Sequence, residues 1–243
     1  MPYGYYYGFD WTYLVLVLPC AIFAMIASAR VNSTFKKYST QYSSRRITGA
    51  EAARRVLSAN GIRNVRVDRV SGNLTDHYDP KANVIRLSDS VYDSTSTSAI
   101  GVACHEAGHA VQYAEHYAPV KWRAAIIPIT NLGSKLAMPL ILIGLLLSAL
   151  GSVSYFFVYL GIAAFGLSFV FQLITLPVEF NASRRAIQAI SQYGILTEAE
   201  LQGAKKTLQA AAMTYVAATA TALAQLLRLI LLYGGRGRGR RDD

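Results

Sequence analysis

The chain has 243 residues, 53% of them hydrophobic and only 16% charged, with a formal net charge of +10. A charged share well below the roughly 25% of soluble globular chains excludes an ordinary water-soluble domain and makes lipid part of the solvent. A nucleic-acid partner is excluded too: no Lys or Arg precedes Arg30, the basic residues then gather beside apolar runs, and no binding motif accompanies them.

Residues 1–10 are a Tyr- and Gly-rich tail, and Trp11 to Ala29 is a run without a charge, long enough to cross a bilayer core as a helix. Trp11 and Tyr13 suit the headgroup interface. A signal peptide is the competing reading, but the tail lacks positive charge, so a retained span with its N-terminus outside is expected. The two cysteines, Cys20 and Cys104, have no Cys-x-x-Cys spacing and read as small packing residues.

Residues 30–130 read as a cytoplasm-facing unit. Thr48 and Glu51 have capping-box spacing and open a helix that Asn60-Gly61 stops after Ala59. The period then changes to two. Val65, Val67 and Val70 alternate with charges, Leu74 to Tyr78 and Val84 to Leu87 follow, and turns at Ser71-Gly72-Asn73 and around Pro80 separate them. This predicts a short antiparallel β-sheet of two or three strands. The Ser/Thr cluster from Ser94 to Ser98 offers N-caps for a helix from about Thr97 to Glu115.

Leu132 to Leu150 and Ser154 to Thr175 are two further apolar runs interrupted only at Gly151-Ser152-Val153, which predicts a transmembrane hairpin over residues 132–175. Pro177 is placed to begin the next helix at its first turn, within a helical segment over 176–213 whose later part Thr197 caps. The apolar helix over 214–233 is spanning or interfacial. It carries Gln225 and Arg228, and a fourth crossing would push the basic tail of residues 234–243 outside, so packing at the interface resolves the conflict.

Of four histidines, two flank a glutamate as His105-Glu106-Ala107-Gly108-His109. Residues four apart share a helical face, so two imidazoles can converge on one metal, and a glutamate beside them can handle the proton of an activated water. A catalytic zinc usually takes a third protein ligand. His116 fails on spacing, because the extended metzincin pattern needs Gly and His where Gln112 and Glu115 stand. Glu179 lies where the hairpin returns to the side of the His105 helix and is the candidate third ligand; a structural glutamate at the membrane edge is the alternative.

The runs Leu74 to Ser88, Ala103 to Gln112 and Leu176 to Arg185 closely resemble the YugP-type membrane zinc metallopeptidases of prokaryotes, and the resemblance extends over nearly the whole chain. More distantly the site is similar to the HtpX and CAAX-prenyl-protease families, where a Glu on a helix after a membrane segment is the third zinc ligand, followed by x-x-Ala-Asp. Glu179 matches that ligand and Ala182 the alanine, whereas Ser183 departs from the acidic residue, so the usual hydrogen bond behind a ligating His is weaker or comes from elsewhere.

The expected molecule is a mainly α integral membrane protein, with transmembrane helices and a small zincin-like catalytic unit. It would be a gluzincin-type endopeptidase with one Zn2+ per chain, ligands His105, His109 and Glu179, and Glu106 as general base. His77, on a strand of the kind that aligns substrate in zincins, and Asn181, Ser183 and Arg184 beside Glu179 are candidates for substrate or supporting contacts. The expected partners are a membrane-associated polypeptide substrate and the lipid bilayer of the cytoplasmic membrane, with room for a homo-oligomer or a regulatory membrane partner. The alternative is a non-catalytic zinc-containing scaffold or chaperone, which would need a closed metal site and no general base.

Overall fold

The structure is a computed structural model and describes residues 10–233; the two tails at residues 1–9 and 234–243 lie outside the described residues. Among these residues a short π-helical turn, Tyr13–Val17, leads into α1 (Leu18–Tyr38). There follow α2 (Gly49–Ala59), β1 (Arg66–Val70), β2 (His77–Asp79), β3 (Val84–Ser88) and α3 (Thr97–Ala114). Three long helices complete the chain: α4 (Ala118–Leu146), α5 (Ser152–Gln192) and α6 (Glu198–Tyr233), with a 3-10 turn at Ser148–Leu150. Four helices are long and apolar enough to cross a membrane among the described residues: Tyr13–Tyr38, α4, α5 and α6.

The chain divides into two compact units. The first comprises Ile26–Ala125 and Ile174–Val216 and has a continuous apolar core. Ile85, Leu87, Ile100, Ile190 and Ile195 are fully buried there. Local signals start its helices as expected. Thr48 and Glu51 exchange both hydrogen bonds of a capping box, and the Ser96 hydroxyl accepts from the Ala99 N–H at the start of α3. At α6 the Thr197 N–H donates to Glu200, while the Glu200 N–H donates back to the Thr197 hydroxyl.

The sheet departs from the antiparallel expectation. Its order is β1-β3-β2, with β1 parallel to β3 and only β2 antiparallel to it. The turn after Val70 does reverse the chain, but it leaves the width of a strand between β1 and β2. Asp76 then ties the connection to the end of β3, its carboxylate accepting from the Ser88 N–H at 2.7 Å and the Ser88 hydroxyl at 2.9 Å. The third strand fills the gap because Val84, Ile85 and Leu87 are apolar on both faces, and a central strand buries both.

The second unit comprises Ile126–Leu173 and, among the described residues, 10–25 and 217–233. Here α4 and α5 form a hairpin around Gly151, whose φ of 60° makes the reversal. The helices approach closely where residues are small: a Cβ on Gly161 would lie 2.7 Å from the Ala137 carbonyl oxygen, and the Ser154 hydroxyl donates to the Gly144 carbonyl at 2.6 Å. Arg228 of α6 donates to Asp10 through Nε at 2.8 Å and lies over the Tyr13 ring.

Pro177 does not begin a helix; it lies inside the uninterrupted α5. An interior proline costs about 3 kcal/mol in an isolated helix. Burial of the turn that follows offsets that cost, since Val178 and Ala182 are wholly buried. In the same way α1 runs on past Arg30 to Tyr38, and α6 has no break near residue 213.

Candidate metal centre

All residues of the candidate centre belong to the first unit. On α3, His105 and His109 project from one face, their rings edge to face with centroids 4.7 Å apart. That face is cleared by small residues: Ala107 is fully buried, and a Cβ on Gly108 would stand 2.8 Å from the Ala182 carbonyl oxygen. The absence of that Cβ lets α5 lie directly against α3 and brings Glu179 to the histidines. His105 Nε2 is 3.3 Å and His109 Nε2 3.5 Å from Glu179 Oε2. These three are the His, Cys, Asp and Glu group able to converge on a metal among the described residues, their ligand atoms all within 4.8 Å of one another.

Two observations test whether zinc fits. Glu179 Oε2 is buried and has no hydrogen-bond partner, although the side chain is only 4% exposed. Leaving a carboxylate oxygen dry and unpaired is costly, and a cation at that point removes the cost. The His109 ring nitrogen facing it is also in the right state. Gln112 is fully buried, and its amide donates to the Val178 carbonyl at 2.8 Å and to Asn181 Oδ1 at 2.9 Å. Its oxygen therefore faces His109 Nδ1, 3.0 Å away, which must carry the proton and leave the Nε2 lone pair free. Two imidazoles and one carboxylate form a donor set suited to zinc.

Ser183 supplies the corresponding contact at the other histidine, its hydroxyl 3.1 Å from His105 Nδ1. The position that departs from the acidic residue of the distant families thus still touches the imidazole, through a neutral group. Glu179 is itself oriented by Arg123 of α4, which donates to Oε1 at 3.1 Å and so leaves Oε2 to the histidines. Burial works against a charge on His109, but the Glu179 and Glu106 carboxylates outweigh it and hold its pKa above the ordinary value.

Glu106 lies beside the cluster, almost fully buried, and lines a cleft of about 300 Å³ together with His105, Asp76 and Tyr215. Burial raises the pKa of Asp76, with the Ser88 hydrogen bonds opposing and the Glu106 charge adding to the rise. Tyr215 also faces Glu179.

The remaining sequence candidates are placed elsewhere. His77 is exposed on β2, with Nδ1 2.9 Å from the Thr75 carbonyl oxygen and Nε2 3.3 Å from Arg86, and it does not line the cleft. Its neighbour Tyr78 is the β2 residue turned toward α3, where it meets the Tyr113 ring. Asn181 acts one step back, bridging Gln112 and Arg185. Arg184 is exposed, and so is His116, which lies past the end of α3 with φ 56°. Gln112, Arg123, Asp76 and Tyr215 were not singled out as site residues from sequence. Only Gln112 carried a local signal, three residues after His109 and so on the same helical face.

Comparison with known proteins also points to a zinc peptidase. A family model described as "putative neutral zinc metallopeptidase" matches residues 13–234. A curated protein of Bacillus subtilis (strain 168), named "putative membrane protease YugP", is 48% identical over 207 residues, covering 85% of this chain and 90% of the relative. No solved structure matches the chain.

Proposed function

The chain belongs to the neutral zinc metallopeptidase family, and on that premise we propose that it is a membrane-embedded endopeptidase of the gluzincin type, with Glu106 as general base. The observation that carries this reading is the convergence of both histidine Nε2 atoms on the unpartnered Glu179 Oε2, beside a cleft that contains Glu106. His105, His109 and Glu179 would hold the zinc ion, and three protein ligands are the number of a catalytic site rather than of a closed structural one. When bound, zinc supplies a Lewis acid that acidifies water and polarises a peptide carbonyl.

The protein's own groups do the rest. The Glu106 carboxylate takes one proton from the attacking water as the water oxygen bonds to the carbonyl carbon. It then delivers that proton to the amide nitrogen as the C–N bond breaks, so an acid and an amine leave and Glu106 ends ionised. Ser183 and Gln112 fix the two imidazoles, and Arg123 fixes the carboxylate, so the ligand set is held before substrate arrives.

The substrate is a polypeptide, and we place the protein in the cytoplasmic membrane with the unit that holds the centre facing the cytoplasm. Four apolar helices and the membrane protease name of the relative support the embedding. Most of the 24 basic residues fall within residues 30–125 and 184–206, which supports the orientation.

Two variants of the purified protein test the reading. Glu106→Gln should retain its zinc and lose peptide turnover by about 100-fold or more. Glu179→Ala should lose zinc affinity sharply. A Glu106→Gln protein as fast as the parent removes Glu106 from the role of base, and unchanged metal content in the second variant removes Glu179 from the ligand set.

A further inference from the structure

The cleft beside Glu106 is built from three helix faces, each visible as a helical repeat. On α1 the lining residues are Ser28, Val31, Asn32 and Phe35; on α3 they are Val102, His105 and Glu106. On α6 they are Thr207, Leu208, Ala211, Thr214 and Tyr215. Leu74 and Asp76, from the connection before β2, close the remaining side. Phe35, Thr207 and Leu208 are buried at its floor, whereas Ser28 and Asn32 are exposed at its rim.

The lining chemistry selects an occupant. Val31, Phe35, Leu74, Val102, Leu208 and Ala211 present apolar surface. Three of the polar residues among them are already engaged: the Thr207 hydroxyl donates to the Gly203 carbonyl at 2.9 Å, the Thr214 hydroxyl donates to the Ala211 carbonyl at 2.7 Å, and both oxygens of Asp76 accept from Ser88. Two carboxylates, Asp76 and Glu106, face the space and repel an acidic side chain. A volume of about 300 Å³ suits one large side chain rather than a folded element.

We propose that this cleft is the main specificity subsite, taking one bulky apolar side chain, of leucine, methionine or phenylalanine size, from a residue flanking the scissile bond. The inference rests on the peptidase reading above and adds a substrate class to it. Ala211, half-buried one turn from Leu208 and one turn from Tyr215, sets how far the side chain enters.

The test uses the full-length protein in detergent, zinc-loaded, with peptide libraries and cleavage junctions mapped by mass spectrometry. Junctions flanked by Leu, Met or Phe should exceed those flanked by Gly or Asp by about 10- to 100-fold in kcat/KM, the range that burial of one such side chain provides. Ala211→Leu should lower the ratio of kcat/KM for Leu over Ala substrates at least tenfold at unchanged zinc content. Val31→Ala, a milder change in case the first variant folds poorly, should move the optimum toward larger aromatic side chains. Junctions dominated by Lys or Arg, which would answer to Asp76 instead, overturn the proposal, as do ratios unmoved in both variants. Cleavage that depends on Glu106 but shows no preference overturns the subsite alone. Zinc-loaded protein that cleaves no peptide overturns the peptidase reading and the subsite with it.

Discussion

The two imidazoles of the centre are held at Nδ1 by uncharged partners, Ser183 for His105 and Gln112 for His109. A neutral acceptor fixes the ring and its tautomer but adds less basicity than a carboxylate would. Ser183→Ala should therefore lower zinc affinity by about 10- to 100-fold, and Ser183→Asp should restore or exceed the parent value. Competition with a chelator, read by metal analysis, checks both, and a Ser183→Ala protein of undiminished affinity would show that this contact orients nothing. The histidine pair was legible in the sequence because its geometry is local: two residues four apart on a helix must share a face. Gln112 could have been read in the same way. Arg123 and Tyr215 could not, because each meets Glu179 across a long stretch of chain and neither belongs to a periodic pattern that points to it. His77 shows the converse failure. The strand was legible, but which of two alternating faces meets α3 depends on the sheet's neighbours, and that face belongs to Tyr78.

At the scale of elements, the centre depends on how closely α5 can lie against α3. Gly108 is the point of contact, since an added Cβ would meet the Ala182 backbone oxygen at 2.8 Å and backbone cannot rotate away. Gly108→Val should force the helices apart, cost about 1–3 kcal/mol, and lose zinc affinity out of proportion to stability, because Glu179 moves with α5. A melt and a zinc titration on the same variant separate the two effects; a variant with lowered stability but normal zinc affinity would place the ligands' support elsewhere. Elements governed by nearby residues were readable in advance, as at Thr48 with Glu51 and Thr197 with Glu200, where the caps need only three residues of chain. The sheet order was not. Turn residues after β1 indicate a reversal, but only the two-faced burial of β3 decides that it enters between β1 and β2. Pro177 misled for a related reason: its local preference is to start a helix, and the burial of Val178 and Ala182 overrides it.

For the whole molecule, the number of bilayer crossings turns on α6. Charge counting alone favours an interfacial helix, because a fourth crossing separates the terminal arginines from the other basic residues. The contact between Arg228 and Asp10 argues for crossing. Asp10 immediately precedes the first apolar helix, and Arg228 lies near the far end of α6, five residues before Tyr233, with its guanidinium over Tyr13 as well. Within the second unit, residues 217–233 of α6 thus run back along the apolar length that Tyr13 begins, and Arg228, the one cation among them, is paired there rather than facing lipid. An interfacial helix would need no such partner at the start of the first span. Four crossings put Asp10 and Tyr233 on one side, with residues 39–117 and 193–197 on the other. A topology reporter fused after Tyr233 should therefore give the same signal as one at the N-terminus, and the opposite signal to one inserted at Asp89 in the exposed loop after β3. Arg228→Leu should lower the yield of folded protein by stranding Asp10, and Asp10→Asn in the same chain should recover part of it. If the reporter after Tyr233 matches the one at Asp89, α6 does not cross, and the pairing of Arg228 with Asp10 must form at a membrane surface that both residues share.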